Sequence, residues 1–156
     1  MKEWFKYEFG YVNIDDENLY FTSSGNWSET IDLNEKTKKG DAKNNSRSFS
    51  IIGFIVVAIC LFGFLIFKSI LSGRVGFTLI VITLAGSYKL YEYLKTEIGP
   101  KFRVPLDKIS EIRAEEKNIE IIFENGEGMN DSYKIYKIEQ KGFAIMLSLK
   151  DIILKS

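Results

Sequence analysis

The chain of 156 residues carries 21 Lys+Arg against 21 Asp+Glu, one Cys, no His and 46% apolar residues, which suits one modest domain with apolar sequence left over. Without imidazole there is no histidine base or histidine metal ligand, and the lone thiol of Cys60 excludes an internal disulfide, a CxxC pair and a cysteine cluster. A formal net charge of zero argues against a nucleic-acid binder, which needs a surplus of cations.

Residues 4 to 12, WFKYEFGYV, place Phe5, Tyr7, Phe9 and Tyr11 at period two around Lys6 and Glu8, predicting one half-buried strand. Asp15 to Asn18, DDEN, then forms a polar turn, and Leu19 to Thr22 returns as a hairpin partner ending in SSGNW, with Thr30 to Leu33 a weaker third strand. Residues 1–33 form the first part of a β domain. Residues 34–47, NEKTKKGDAKNNSR, lack apolar periodicity and predict a polar, basic, flexible linker.

Ser48 to Phe67 holds 20 residues without a charge, about 30 Å of helix and the thickness of a bilayer core. A buried core helix is a poor alternative, because a domain this small cannot cover a helix that is apolar all round. Residues 68–74 make a short external turn bounded by Lys68 and Arg74. Only 14 uncharged residues separate Arg74 from Lys89, so a second span over 75–94 must recruit its flank, with Tyr88, Tyr91 and Tyr93 as an aromatic belt and Lys89 reaching the interface. The helix can run to Ile98, before the Gly99-Pro100 stop; a re-entrant segment is the alternative.

Lys36, Lys38, Lys39, Lys43 and Arg47 precede the first span, and Lys95, Lys101, Arg103, Lys108 and Arg113 follow the second. The positive-inside rule then predicts a multi-pass protein of the cytoplasmic (inner) membrane with both termini cytosolic, and the opening MKEWFKYEFGYVN has no apolar signal-peptide core. Lys36, Lys38, Lys39, Lys43, Arg47, Lys95, Lys101 and Arg103 are candidate contacts for anionic lipid, weighed against a role in topology alone. Lys68, Arg74, Tyr88, Lys89, Tyr91 and Tyr93 are candidate interfacial anchors. Thr78, Thr83 and Ser87 are the few intramembrane hydroxyls.

Residues 101–156 supply the second part of the domain. Pro105-Leu106 leads into Ile109, Ile112 and Ala114, a strand with a kink or a short helix. Asn118 to Glu124, NIEIIFE, is a strand, and Asn125-Gly126 predicts a type I′ hairpin turn. The return strand is expected to break at Gly128 to Asp131 and to resume from Tyr133 to Ile138. From about Gln140 to Leu154 an amphipathic helix, with Phe143, Met146, Leu147 and Leu154 as its stripe, should cap the sheet.

Candidate chemistry reduces to simpler readings. Asp15, Asp16 and Glu17 lack the spacing of a calcium loop and suit a turn. Glu115 and Glu116 are adjacent and would point to opposite faces of a strand. Gly126-Glu127-Gly128 lacks the helix start and Lys-Ser/Thr pair of a phosphate loop. The aromatic stripe from Trp4 to Tyr11 reads as core before it reads as a ligand cleft. No catalytic, cofactor or metal residue is assigned.

The order of YVNIDDENLYFTSSG before the apolar runs and VPLDKISEIRAEEKNIEIIFENGEG with GFAIMLSLKDII after them resembles a pleckstrin-homology-like domain, in particular the small bacterial membrane-anchored forms with a two-helix hairpin. The resemblance is one of layout. It implies a bent antiparallel sheet plugged by the C-terminal helix, a non-catalytic scaffold, and binding of lipid headgroups or proteins. The family has seven strands where five or six are readable here, and here the apolar runs interrupt the strands.

The sequence therefore predicts an α+β chain in which a two-helix transmembrane hairpin is inserted between strands of a small antiparallel β domain closed by a C-terminal amphipathic helix. Its expected role is a non-enzymatic, membrane-tethered binding or regulatory module. Its partners are membrane lipids and, beyond them, another membrane or cytosolic protein. The competing expectation is an immunity or accessory protein whose apolar hairpin binds a membrane-active partner.

Overall fold

The computed structural model describes residues 2–71 and 77–153. Two antiparallel sheets and three helices make an α+β chain. Strands β1 (Glu3–Tyr7), β2 (Gly10–Ile14), β3 (Asn18–Thr22) and β4 (Phe102–Pro105) form one sheet in that order, and β5 (Ile109–Glu115), β6 (Asn118–Glu124) and β7 (Asn130–Ile135) form the other. Between β3 and β4 lie α1 (Lys38–Leu71) and α2 (Phe77–Ile98); α3 (Gln140–Ile153) follows β7.

One core unites the parts that precede and follow α1 and α2. Phe5, Val12, Ile14, Leu19 and Phe21 from the first part pack with Phe102, Val104, Ile112, Ile121, Phe123, Ile135 and Met146 from the second. Leu19 pairs with Val104 and Phe21 with Phe102; the two phenylalanine rings stand 4.5 Å apart. Each large buried side chain contributes roughly 1.5–3 kcal/mol, so neither part could keep this core without the other.

The expected single strand over residues 4–12 is instead two. Phe5 and Tyr7 enter the core, the chain reverses at Glu8-Phe9, and Gly10 pairs back with Tyr7. The turn resets the alternation, so Tyr11 lies on the outer face beside Trp4, ring centroids 5.9 Å apart. Gly10 requires its residue type: its φ is +155°, and a Cβ there would stand 2.3 Å from the Thr22 carbonyl oxygen. The polar turn falls at Asp15 to Glu17, where the Asp15 carboxylate accepts from the Glu17 and Asn18 N–H groups at 2.9 and 2.7 Å and from the Tyr20 hydroxyl at 3.0 Å.

Thr30 to Leu33 is not a strand. Trp27–Thr30 is a 3₁₀ turn capped by Asn26, in a segment that folds over the outer face of the first sheet. There the buried Asn13 donates to the Gly25 carbonyl at 2.8 Å and accepts from the Thr22 hydroxyl at 2.9 Å. Burial on both faces explains why every residue of β3 is buried.

Residues 34–47 differ most from the flexible linker expected. The Arg103 N–H donates to the Asn34 carbonyl at 3.0 Å, the Lys36 N–H to the Arg103 carbonyl at 3.3 Å, and the Gly126 N–H to the Lys36 carbonyl at 3.0 Å. The segment thus covers the β4 edge and stitches it to the second sheet. The Thr37 hydroxyl then accepts from the Gly40 N–H at 3.0 Å and caps α1 ten residues ahead of its apolar stretch. Once nucleated, the helix extends at little further cost through polar residues.

Lys38–Lys68 is the one described helix long and apolar enough to cross a membrane. The other expected span, 75–94, is not matched by a second such helix. Of α2, only Phe77 to Tyr88 is uncharged, about 18 Å, before Lys89, Glu92, Lys95 and Glu97. The helix ends at Ile98, before Gly99-Pro100. Most of the 68–74 turn, including Arg74, and Leu154 fall outside the described residues, as does the side chain of Thr78.

The second sheet follows its sequence pattern closely. A bulge between Ile109 and Glu111 puts Ile109 and Ile112 on the same inner face although they are three apart. β6 matches NIEIIFE residue for residue, with Ile119, Ile121 and Phe123 inward. The turn after it is not type I′, because the loop runs over Asn125 to Met129 and its positive φ falls at Gly128. Asn125 organises this loop, its side-chain oxygen accepting from the Glu127 and Met129 N–H groups at 2.9 and 3.1 Å. β7 therefore begins at Asn130 and ends at Ile135, earlier than expected. In α3 the buried pair is Met146 and Leu149, while Leu147 and Ile152 are exposed.

Replacing Gly10 by alanine should destabilise the fold by about 2 kcal/mol, because the clash is with backbone that cannot rotate away. Chemical denaturation of the intact protein in detergent measures this; an unchanged midpoint would contradict the packing described.

Candidate functional site

Most predicted cationic residues converge where the start of α1 and the end of α2 meet the sheets. Segment 32–37, α1 from Lys39 to Arg47, and Lys101-Phe102 line a cleft of about 600 Å³. Lys39, Lys43 and Arg47 recur every four residues and so share one helix face. Lys101 approaches from the chain that follows α2.

Each candidate has a distinct surrounding. Lys36 is only 10% exposed; its ammonium donates to Asp131 Oδ1 at 3.0 Å and to the Ser132 carbonyl at 3.2 Å. The rings of Phe102, Phe123 and Tyr133 surround that ammonium with centroids 5.6 to 5.9 Å away. This lysine is a structural pin and has no free charge to offer a lipid. Lys38, Lys39 and Lys43 are exposed. Arg47 Nη2 donates to the Glu97 carbonyl and lies 3.2 Å from Glu97 Oε2, which Lys101 also approaches at 3.5 Å. Lys95 pairs with Glu92 at 2.7 Å on α2. Arg103 lies in β4 opposite Tyr20, half-buried with an unpartnered Nε. These last two are not part of the cleft.

The junction of the helices is fixed by complementary termini. Arg47 and Ser48 donate to the Glu97 and Ile98 carbonyls, the Ser48 bond measuring 2.9 Å, and the Asn44 amide donates to the Lys101 carbonyl at 3.3 Å. A cation and hydroxyl on the last carbonyls of α2 satisfy its orphan acceptors and oppose the negative end of its dipole. Beyond the helix end, Gly99 lies so close to the β1–β2 turn that a Cβ would stand 2.0 Å from the Phe9 carbonyl oxygen.

Of the expected interfacial anchors, Lys68, Tyr88, Lys89, Tyr91 and Tyr93 are exposed on the helices. Tyr88 and Tyr91 border a second cleft of about 520 Å³, with Lys6 of β1, Glu8 of the β1–β2 turn and Lys137 after β7 also lining it. Two of its three cations are paired with its acids, Lys95 with Glu92 and Lys137 with Glu8, while the Lys6 ammonium lies 5.9 Å from the Tyr11 ring centroid. Among the described residues no three acidic or thiol groups converge to hold a metal ion.

The acids near the basic cleft carry perturbed protonation. Burial raises the Asp131 carboxyl, but the Lys36 hydrogen bond and charge, with the Ser132 N–H and the Asn125 side chain, outweigh it and hold it below the usual carboxylate range. Burial pushes the Asp41 carboxyl up; Lys36 opposes this, while Asp131 and Glu127 add to it. Burial likewise moves the Tyr133 hydroxyl up to about 12.

Comparison with protein-family models, curated sequences and solved structures finds no match. Residues missed by sequence reasoning are Asp131 and Glu97, the acids that hold Lys36 and Arg47. Their signal was absent because each lies at least 50 positions from its cation.

Because the Asp131 carboxyl is depressed in the folded state, its contribution to stability is present above about pH 4, its unfolded value, and is lost as pH falls through the lower folded value. Asp131→Asn should cost about 2 kcal/mol near neutrality, less than the about 3–5 kcal/mol of a fully buried pair, since Asp131 is 28% exposed and partly screened. Thermal melts across this range should show the gap between variant and wild type narrowing in acid.

Proposed function

We propose that the chain is a membrane-tethered, non-catalytic binding or regulatory module: a two-helix hairpin crossing the cytoplasmic membrane, inserted into a pleckstrin-homology-like domain on the cytosolic side. The observation that carries this reading is the exposed apolar surface of α1 joined to a single split core. Phe54, Val57, Leu61, Phe64 and Phe67 are each more than half exposed, an apolar surface that water would not tolerate and lipid would cover. Segments 2–37 and 99–153 share one core, so both belong on the same side of any membrane. If α1 crosses, the chain must cross back before β4, and α2 with the residues that precede it is the only segment available.

The domain reading is supported by the count and order of elements. Seven strands in sheets of four and three, followed by a closing helix, fit the resemblance better than the five or six strands readable from sequence. Interruption between β3 and β4 places the helices at a strand connection and spares both sheets. The cytosolic assignment rests on the cations at the membrane-proximal ends of both helices.

A second reading, in which the hairpin itself engages a membrane partner, is favoured by a groove of about 330 Å³ between the helices. It is lined by Ala58, Ile59 and Phe62 and by Thr83, Gly86 and Ser87, so two hydroxyls face apolar surface.

Single-cysteine labelling in a Cys60→Ser background, with reporters at positions 23, 72 and 156, tests the topology. Position 72 alone should react from outside the cell; reaction of 23 and 156 from opposite sides would end the split-domain reading. Exchanging both helices for unrelated spans should spare the activity of a cytosolic module and abolish that of a hairpin-directed one.

A further inference from the structure

We propose that the cleft beside the start of α1 binds the phosphate group of an anionic phospholipid, with Lys39 and Lys43 as its primary contacts and Arg47 and Lys101 as its floor. The inference rests on the membrane reading above and names a ligand for it. Five cations and three acids line the cleft. Asp131 holds Lys36 and Glu35 holds Lys108 at 2.9 Å, which leaves Lys39, Lys43, Arg47 and Lys101 facing Asp32 and Asp41. Among the described residues neither Lys39 nor Lys43 has an ion-pair partner, while Arg47 and Lys101 share the single carboxylate of Glu97.

Geometry sets the ligand class. Side chains every four residues on one helix face rise by about 6 Å per step, so the ladder from Arg47 to Lys39 spans about 12 Å. Phe49, the first large exposed apolar side chain of α1, lies two positions beyond Arg47. The ladder therefore begins where the hydrocarbon ends and climbs through the headgroup layer, which occupies about 5–8 Å on each side. A cleft of about 600 Å³ is within the range that holds a small polar ligand. Diffuse attraction of a basic flank to an anionic leaflet would not need this arrangement, because it depends on the number of charges near the surface and not on their face. Lys38 separates the two cases: it is exposed and adjacent to Lys39, carries the same charge and does not line the cleft.

The full-length protein in nanodiscs of phosphatidylcholine with a minor fraction of phosphatidylglycerol provides the test, read as lipid retained per protein by native mass spectrometry. Wild type should retain phosphatidylglycerol in preference. Lys39→Gln and Lys43→Gln should each reduce that preference roughly fivefold, Lys39→Arg and Lys43→Arg should restore it, and Lys38→Gln should leave it intact. Excess inorganic phosphate distinguishes the source: retention that survives it assigns the site to the lipid headgroup, and displacement with direct phosphate binding in phosphatidylcholine-only discs assigns it to a soluble phosphate. An equal loss in Lys38→Gln and Lys43→Gln, or no preference in wild type, overturns the proposal. Alkaline carbonate separates this failure from that of the parent reading: wild type stripped from vesicles refutes the membrane hairpin, whereas embedded protein without lipid preference refutes the cleft alone.

Discussion

The pairing of β3 with β4 is the constraint from which the rest of the molecule follows. Asn18 to Phe21 lie opposite Pro105 to Phe102, so the chain leaves the sheet and must return to within one strand spacing, about 5 Å, after two helices. That return makes α1 and α2 neighbours and brings Arg47 and Ser48 to the terminal carbonyls of α2. The closure is affordable because loop entropy grows slowly, by about 0.6 kcal/mol for each doubling of length. Packing of α1 against α2 shortens the effective loop further, so the buried phenylalanines and aliphatics of the seam outweigh the remaining cost.

The second sheet was legible because each strand carries its own signal. NIEIIFE alternates cleanly, and Ile109 and Ile112 disclose a bulge once both must face inward. The N-terminal strands were half legible: the aromatic alternation was real, but a two-residue reversal at Glu8-Phe9 preserves period two on paper while exchanging the faces. β4 had no local signature, since four residues including an arginine and a closing proline form a strand only because β3 offers an edge. Segment 34–47 departs from its sequence pattern for a related reason. Its composition is that of a linker, and its order comes from Arg103, Gly126 and Asp131, all more than 60 positions away. One signal within it was available: Lys39, Lys43 and Arg47 fall at intervals of four, visible as a ladder once the stretch is taken as helical.

The cations of the junction divide by burial, and burial decides what each can do. Lys36 has lost most of its hydration and regains it from Asp131, a carbonyl and three rings; removing any partner would strand a charge in apolar surroundings. Its energetic role is to fix the segment that leads into α1. Arg47 serves the end of α2 in the same manner, at an exposed site where the gain is smaller. Among the described residues Lys39 and Lys43 are exposed and have no ion-pair partner, unlike Lys36 and Arg47. Simple counting of basic residues near an apolar run merges these groups.

Continuity of the helices bears on how such a ligand would be felt. From the Thr37 cap to Leu71 α1 contains no proline, and the polar start and apolar stretch form one rod. At its base Lys36 is pinned into the core. At the corresponding end of α2, Gly99 abuts the β1–β2 turn with no room for a side chain. Both junctions are direct contacts with the first sheet, segment 34–36 with β4 through Arg103 and Gly99 with the β1–β2 turn through Phe9. Those strands border opposite ends of the first sheet. A ligand bound along the Lys39 to Arg47 face would therefore act on the angle between α1 and the first sheet, and through the shared core on the second.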